Sequence, residues 1–119
     1  MRVYIPASLP LLASWVEAGR VPASNEYFVA DDESEDAEYV AMVAAAIDAA
    51  DLLDGPGRRV VVVGPAVGAG GDEDPHIAAI PVEEILAVHV DDEDVDPEAE
   101  ELPDLGWYAP QEIPALLAR

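Results

Sequence analysis

Four consecutive valines, Val60–Val63, constrain the fold of this chain more than any other feature. Valine is β-branched and favours strands, and an unbroken apolar run is typical of a strand that is covered on both faces. The segment Arg59–Val63 is therefore predicted to be a strand in the interior. The sequence Gly-Pro-Gly at residues 55–57 breaks any helix that precedes it.

Two segments carry helical spacing of apolar residues. The first begins at Ser8, a good N-cap residue, and ends at Gly19, which suits the position after a helix. The second opens in the acidic segment 31–38, where Ser34 or an Asp can cap, and ends near Asp54. Its predicted buried stripe consists of Val40, Val43, Ala44, Ile47 and Ala50.

Short β-prone segments separate and follow these helices. They are predicted at Val3–Ile5, Tyr27–Ala30, Ile77–Ile80, Ala87–Val90 and Leu105–Ala109, with a helical turn at Pro81–Ile85 and a short helix or turn at Pro110–Leu117. Strands and helices mix without strict alternation. The chain is therefore predicted to form one α+β domain over residues 1–119, with a single mixed β-sheet and two main helices packed on one face.

Charge restricts the partners of this protein. Twenty-six Asp and Glu stand against five Arg, with no Lys, and the net charge is −21. Nucleic acid phosphates and anionic lipids would be repelled, so no direct nucleic acid and no membrane contact is expected. Three explanations of the acidity stay open: solubility or salt tolerance, a basic protein partner, and mimicry of nucleic acid.

Other features of composition narrow the class of protein. The absence of cysteine excludes disulfides, thiolate zinc sites and a cysteine nucleophile. No signal peptide pattern and no apolar run of about 20 residues is present, so a cytoplasmic location is expected. The apolar residues are mostly Ala and Val, which bury little area each. We therefore expect modest stability. A homodimer, whose subunit interface would complete the core, is one way to compensate.

Two segments are similar to known ligand-binding motifs but lack residues that those motifs require. The Gly-rich segment 64–71 follows a strand, yet it lacks the Lys of a P-loop, and the acidic residues 72–74 would repel a pyrophosphate. Carboxylates alternate from Asp92 to Glu100, but the sixth and twelfth positions of a calcium loop counted from Asp92 are Pro97 and Pro103. No cofactor and no metal site is predicted.

Six residues are candidates for binding: His89, Asp91, Trp107, Tyr108, Gln111 and Glu112. A carboxylate two residues from His89 would raise the pKa of that imidazole. Adjacent strand residues point to opposite faces, so one of the two rings should enter the core while the other is partly exposed. We expect Trp107 in the core with Tyr108 at the sheet edge. The alternative is an exposed aromatic ring beside polar groups, which would suit a binding patch. No serine lies in a G-x-S-x-G elbow, so no catalytic residue is assigned.

Five stretches together resemble an uncharacterised family of short acidic proteins of high-GC bacteria, a domain of unknown function. They are MRVYIPASL at the start, DAEYVAM from residue 36, RRVVV from residue 58, VHVDD from residue 88 and WYAPQEIPALL from residue 107. The resemblance spans nearly the whole chain. It implies a bacterial, cytoplasmic protein and supplies no functional residue.

The sequence favours a non-enzymatic acidic interaction or regulatory protein that binds a basic protein partner. The alternative is a small enzyme or metal-binding protein that uses His89, nearby carboxylates and the cluster at Trp107 and Tyr108. An ordered pocket joining those residues would favour the alternative, and an acidic face without convergent polar groups would favour the first.

Overall fold

The structure, a computed structural model, describes residues 2–22, 27–30, 34–65 and 79–118. Its strands are β1 (Arg2–Ser8), β2 (Arg20–Val21), β3 (Phe28–Val29), β4 (Arg59–Pro65), β5 (Ile80–Pro81), β6 (Ala87–Val90) and β7 (Gly106–Tyr108). Its helices are α1 (Leu9–Ala18), α2 (Glu35–Asp51) and α3 (Ile113–Leu117), with 3₁₀ turns at Val82–Glu84 and Pro110–Glu112.

The main sheet has five strands in the order β3-β1-β4-β6-β7. Its centre is β4, which pairs along its whole length with β1, from Arg2 opposite Pro65 to Ser8 opposite Arg59. The α+β class is confirmed, with both main helices in contact with this sheet. Every strand pair is antiparallel, where a mixed sheet was expected, and a second small sheet pairs β2 with β5.

The two main helices lie on opposite faces of the sheet, where one shared face was expected. Val60 and Val62 pack with Leu12 and Trp15 of α1, together with residues of β6 and α3. Val61 and Val63 pack instead with the alanines of α2. Successive strand residues point to opposite faces, so a run of four valines needs an apolar layer on each side.

The helix boundaries follow the predicted capping chemistry. The Ser8 side chain accepts a hydrogen bond from the Leu11 amide at 3.3 Å, and Ser34 accepts one from Ala37 at 3.1 Å. Gly19 ends α1 with a φ of 83°, a left-handed conformation that glycine adopts without strain. These three predictions are confirmed.

The predicted buried stripe of α2 is wrong at Val40 and Ile47, whereas Ala50 is buried as predicted. Val40 and Ile47 are 67% and 62% exposed, whereas Ala41, Ala45 and Ala49 are buried. Alanine allows the helix axis to approach β1 and β4 closely, and this contact outweighs the larger area that Val and Ile would bury. The helix therefore turns an apolar row toward solvent.

Some predictions fall on parts of the chain that the structure does not describe. Most of the Gly-rich segment 64–71 and the first two residues of the predicted strand 77–80 lie outside the described residues. Strand β2 was missed, because two residues carry no periodicity. No helix in the described part of the chain is long and apolar enough to cross a membrane.

Candidate functional site

A cleft of about 410 Å³ lies beside helix α2 on the face of the sheet that this helix covers. Three aromatic residues line it, Tyr4, Tyr39 and Trp107. Its polar groups come from Arg2, Glu35, Glu38 and His89, and its remaining apolar lining consists of Met42, Val63, Leu86 and Ala87. A volume of this size lies within the range of ligand-binding pockets. We call it the α2 cleft.

His89 and Trp107 reach the cleft together because they are directly opposite each other on β6 and β7. Side chains of such a pair share a face and lie about 5 Å apart at Cβ. His89 is half-buried, and Trp107 is 62% exposed. The expectation of Trp107 in the core was wrong, because the register of β7 directs Tyr108 to the α1 side, where it packs on the core.

Burial lowers the pKa of His89 below its ordinary value of 6.5. The imidazole is therefore neutral at neutral pH, with one nitrogen available as an acceptor. The expectation that Asp91 raises this pKa was wrong: burial of the imidazole lowers it, and the Asp91 carboxylate accepts hydrogen bonds from Arg59.

Two carboxylates and one guanidinium set the charge of the α2 cleft. Arg2 Nη1 lies 3.6 Å from Glu38 Oε1, a long and partly exposed ion pair. Among the described residues, Glu35 forms no ion pair. Burial raises the pKa of Tyr4, and the Glu38 charge raises it further while Arg2 opposes them. The Tyr4 phenol therefore stays protonated, and the charged groups of the cleft sum to a negative value.

Asp91 is a structural residue and lies apart from the cleft. It is 1% exposed, and its Oδ2 accepts hydrogen bonds from the Arg59 amide at 2.8 Å and from Nε at 2.9 Å. Its Oδ1 accepts one from Arg59 Nη2 at 2.7 Å, and Nη2 also donates to the Pro103 carbonyl at 2.6 Å. This buried pair ties β4 to both ends of the acidic segment 91–104.

The remaining three candidates also lie elsewhere. The Tyr108 hydroxyl donates to Asp92 Oδ1 at 2.7 Å. Glu112 is exposed and accepts a hydrogen bond from the Ala109 amide at 2.7 Å, and Gln111 is exposed beside it. Of the six residues, the structure thus brings together His89 and Trp107.

Sequence reasoning missed the α2 side of the cleft. Glu35, Glu38, Tyr39 and Met42 follow the spacing i, i+3, i+4, i+7, which places them on one helix face. That spacing was available in the sequence. The reading of bulky aliphatic residues as the buried stripe obscured it.

A second surface feature of α2 is its exposed apolar row, which we define as Val40, Val43, Ala44 and Ile47. Val40 and Ile47 are mostly exposed, and the other two are half-buried. Exposed carboxylates bound the row, with Asp36 before it and Asp51 after it. These carboxylates are separated by 15 helix positions, about 22 Å at 1.5 Å per residue.

The acidic segment 91–104 forms a further charged surface. Nearly all its carboxylates are exposed, and Val95 anchors it by pairing with Gly57 through two backbone hydrogen bonds. Within the described ranges, no group of three His, Asp or Glu residues is arranged to hold a metal ion.

Comparison with known proteins identifies the family of this chain. The model of a family described as a family of unknown function, DUF6912, matches residues 1–117. No curated protein and no solved structure matches the chain.

Proposed function

We propose that this chain, which belongs to the family of unknown function DUF6912, is a non-enzymatic interaction protein that binds a basic protein partner. The observation that supports this function is the exposed apolar row of α2 with carboxylates at both ends. Exposed apolar side chains rimmed by polar residues are typical of protein interaction sites.

The charge of the whole molecule favours a basic partner over a second copy of the chain. Two copies paired through their apolar rows would bring Asp36, Asp51 and their symmetry mates together at a net charge of −21 on each subunit. A basic partner would place Lys or Arg against these carboxylates and cover the row with apolar side chains. Its association would be accelerated at low ionic strength.

The setting of this interaction is part of the proposal. We place the protein in the cytoplasm of a bacterium, as its resemblance to short acidic bacterial proteins implied. There the protein would act as an interaction or regulatory protein, because binding through a surface row requires no catalytic group.

A second candidate function is a small-molecule site in the α2 cleft, as an enzyme or a ligand-binding protein. It is supported by the cleft volume and by a pocket of the kind expected for this alternative, which joins His89 and Trp107 with two carboxylates but does not include Tyr108 or Asp91. Catalysis by His89 would require a second reactive group, and the described lining contains no Ser or Thr beside it. The cleft is therefore better suited to binding than to nucleophilic chemistry.

The test is affinity capture from a lysate of the source cells at low and high salt, followed by mass spectrometry. Wild type is compared with the double variant Val40→Ser/Ile47→Ser. Val, Ile and Ser have similar helix propensities, so the helix is retained. The matched control is Ala13→Ser/Ala18→Ser on the exposed side of α1.

We expect wild type and control to capture a protein rich in Lys and Arg that high salt weakens, and the α2 variant to lose it. With the purified partner, calorimetry should show the α2 variant binding at least about tenfold more weakly, given the apolar area that two such side chains bury. Equal binding by all three proteins, or capture of only acidic proteins, would refute the proposal.

A further inference from the structure

We propose that the α2 cleft binds the guanidinium of an arginine side chain. This inference rests on the proposed function, because it names the group by which a basic partner is anchored beside α2. It concerns a different surface of the helix from the apolar row.

The lining of the cleft matches an organic cation. Tyr39 and Trp107 both line the cleft and are both mostly exposed. Aromatic faces attract cations through the ring quadrupole, and tryptophan does so most strongly. Glu35 and Glu38 add two carboxylates in the same cleft. An anionic ligand would meet these carboxylates and the field of the whole acidic protein.

Arginine fits this lining better than lysine. A guanidinium is planar, stacks on an aromatic ring and can donate two hydrogen bonds to one carboxylate. Its remaining N–H groups can donate to the neutral imidazole of His89, whose pKa is lowered by burial. A lysine ammonium is compact and strongly hydrated, so it loses more on entering a cleft walled by rings.

The arrangement already present at Glu38 supports the same ligand. Arg2 of this chain places its guanidinium beside Glu38 and Tyr4. Glu35, one helical turn before, forms no ion pair within the described residues. The arriving guanidinium would therefore pair with Glu35 and stack on Trp107, with Arg2 retained at Glu38.

The test uses a blocked arginine, Nα-acetyl-arginine methylamide, titrated into the full chain and followed by amide shifts in NMR. The neutral citrulline analogue has nearly the same shape without the charge, and the lysine analogue has the charge without the plane. We expect millimolar binding of the arginine compound, with shifts at His89 and Trp107. Citrulline and lysine analogues should bind at least about fivefold more weakly.

The variants Glu35→Gln and Trp107→Leu test the two predicted contacts. The matched control for Glu35→Gln is Glu17→Gln, which makes the same substitution at an exposed residue of α1, the helix on the opposite face of the sheet from the cleft. Each cleft variant should weaken binding of the arginine compound about fivefold, and Glu17→Gln should weaken it less than twofold.

Three results would overturn the inference: equal binding of the citrulline analogue, an effect of Glu17→Gln as large as that of Glu35→Gln, or amide shifts that avoid the cleft. The proposed function fails separately. If the arginine compound binds as expected but no basic protein depends on the apolar row, the cleft assignment stands and the partner proposal falls. If a basic partner binds through the apolar row and both cleft variants leave that binding unchanged, the partner proposal stands and the cleft assignment falls.

Discussion

The buried pair of Arg59 and Asp91 gives the sharpest stability prediction. Both residues are almost fully buried, and three hydrogen bonds join them. Removing one partner leaves the other charge buried without compensation, which typically costs 3–5 kcal/mol. We therefore expect Arg59→Met and Asp91→Asn each to lower the free energy of unfolding by about 4 kcal/mol.

The double variant Arg59→Met/Asp91→Asn should be far less damaging than the sum of the two. It removes both buried charges, and the Asn side-chain oxygen still accepts from the amide of residue 59. We expect a loss of about 1–2 kcal/mol, because replacing both members of a buried pair is often nearly neutral. The double-mutant cycle then gives a large coupling free energy, the signature of a true pair.

The assay is urea unfolding at constant salt, with the m-value compared among variants to verify that the unfolding transition is unchanged. For 119 residues, a loss of 4 kcal/mol corresponds to about 16 °C in the thermal midpoint. The matched control is the neighbouring pair Arg58 and Asp94, which are 3.6 Å apart with the Asp94 side chain 70% exposed. Breaking it should cost less than about 1 kcal/mol.

Two outcomes would refute this reasoning. If the double variant loses as much free energy of unfolding as the two single variants together, the two side chains do not depend on each other. Equal effects at the buried pair and at the control pair would show that burial does not set the cost.

Three further predictions concern solution conditions. Because burial lowers the pKa of His89, its neutral form contributes stability above pH 6.5, and this stability is lost as the pH falls below that value. The thermal midpoint of wild type, measured relative to that of His89→Gln, should therefore decrease as the pH is lowered from 7.5 to 5.5. An increase would contradict this prediction. At a net charge of −21, repulsion among the carboxylates should destabilise the fold, and added NaCl screens this repulsion, with a Debye length of about 10 Å at 0.1 M. The thermal midpoint should therefore increase with the NaCl concentration. A flat or falling trend would show that this repulsion does not limit stability. Calcium should bind the segment 91–101 more weakly than about 1 mM by calorimetry, and stoichiometric micromolar binding would show that these carboxylates form a site.

The local elements of the fold were predictable because their signals are local. Ser8, Ser34 and Gly19 set helix ends through contacts within one turn of the chain. The valine run predicted a strand covered on both faces, and β4 is that strand. The number of helices on each face was not predictable, since it depends on connections that carry no local signal.

The candidate site was predictable only in part. His89 and Trp107 stood out by residue type, but Tyr4, Glu35 and Tyr39 lie far away in sequence and meet them only across the folded sheet. Asp91 stood out for the same reason as His89 and proved to be buried against Arg59. Residue type alone does not separate a carboxylate that binds a ligand from one that pairs within the fold.

The charge, the absence of cysteine, the α+β class and most element positions could be read from the chain, because they follow from composition and from contacts between near neighbours. Which side of α2 is buried and which way Trp107 faces depend on contacts between distant parts of the chain. Helical spacing in α2 permits either a bulky or an alanine stripe to face the sheet, and close packing selected the alanines. Strand alternation fixes that Trp107 and Tyr108 point apart, but only the register of β7 against β6 places Trp107 opposite His89.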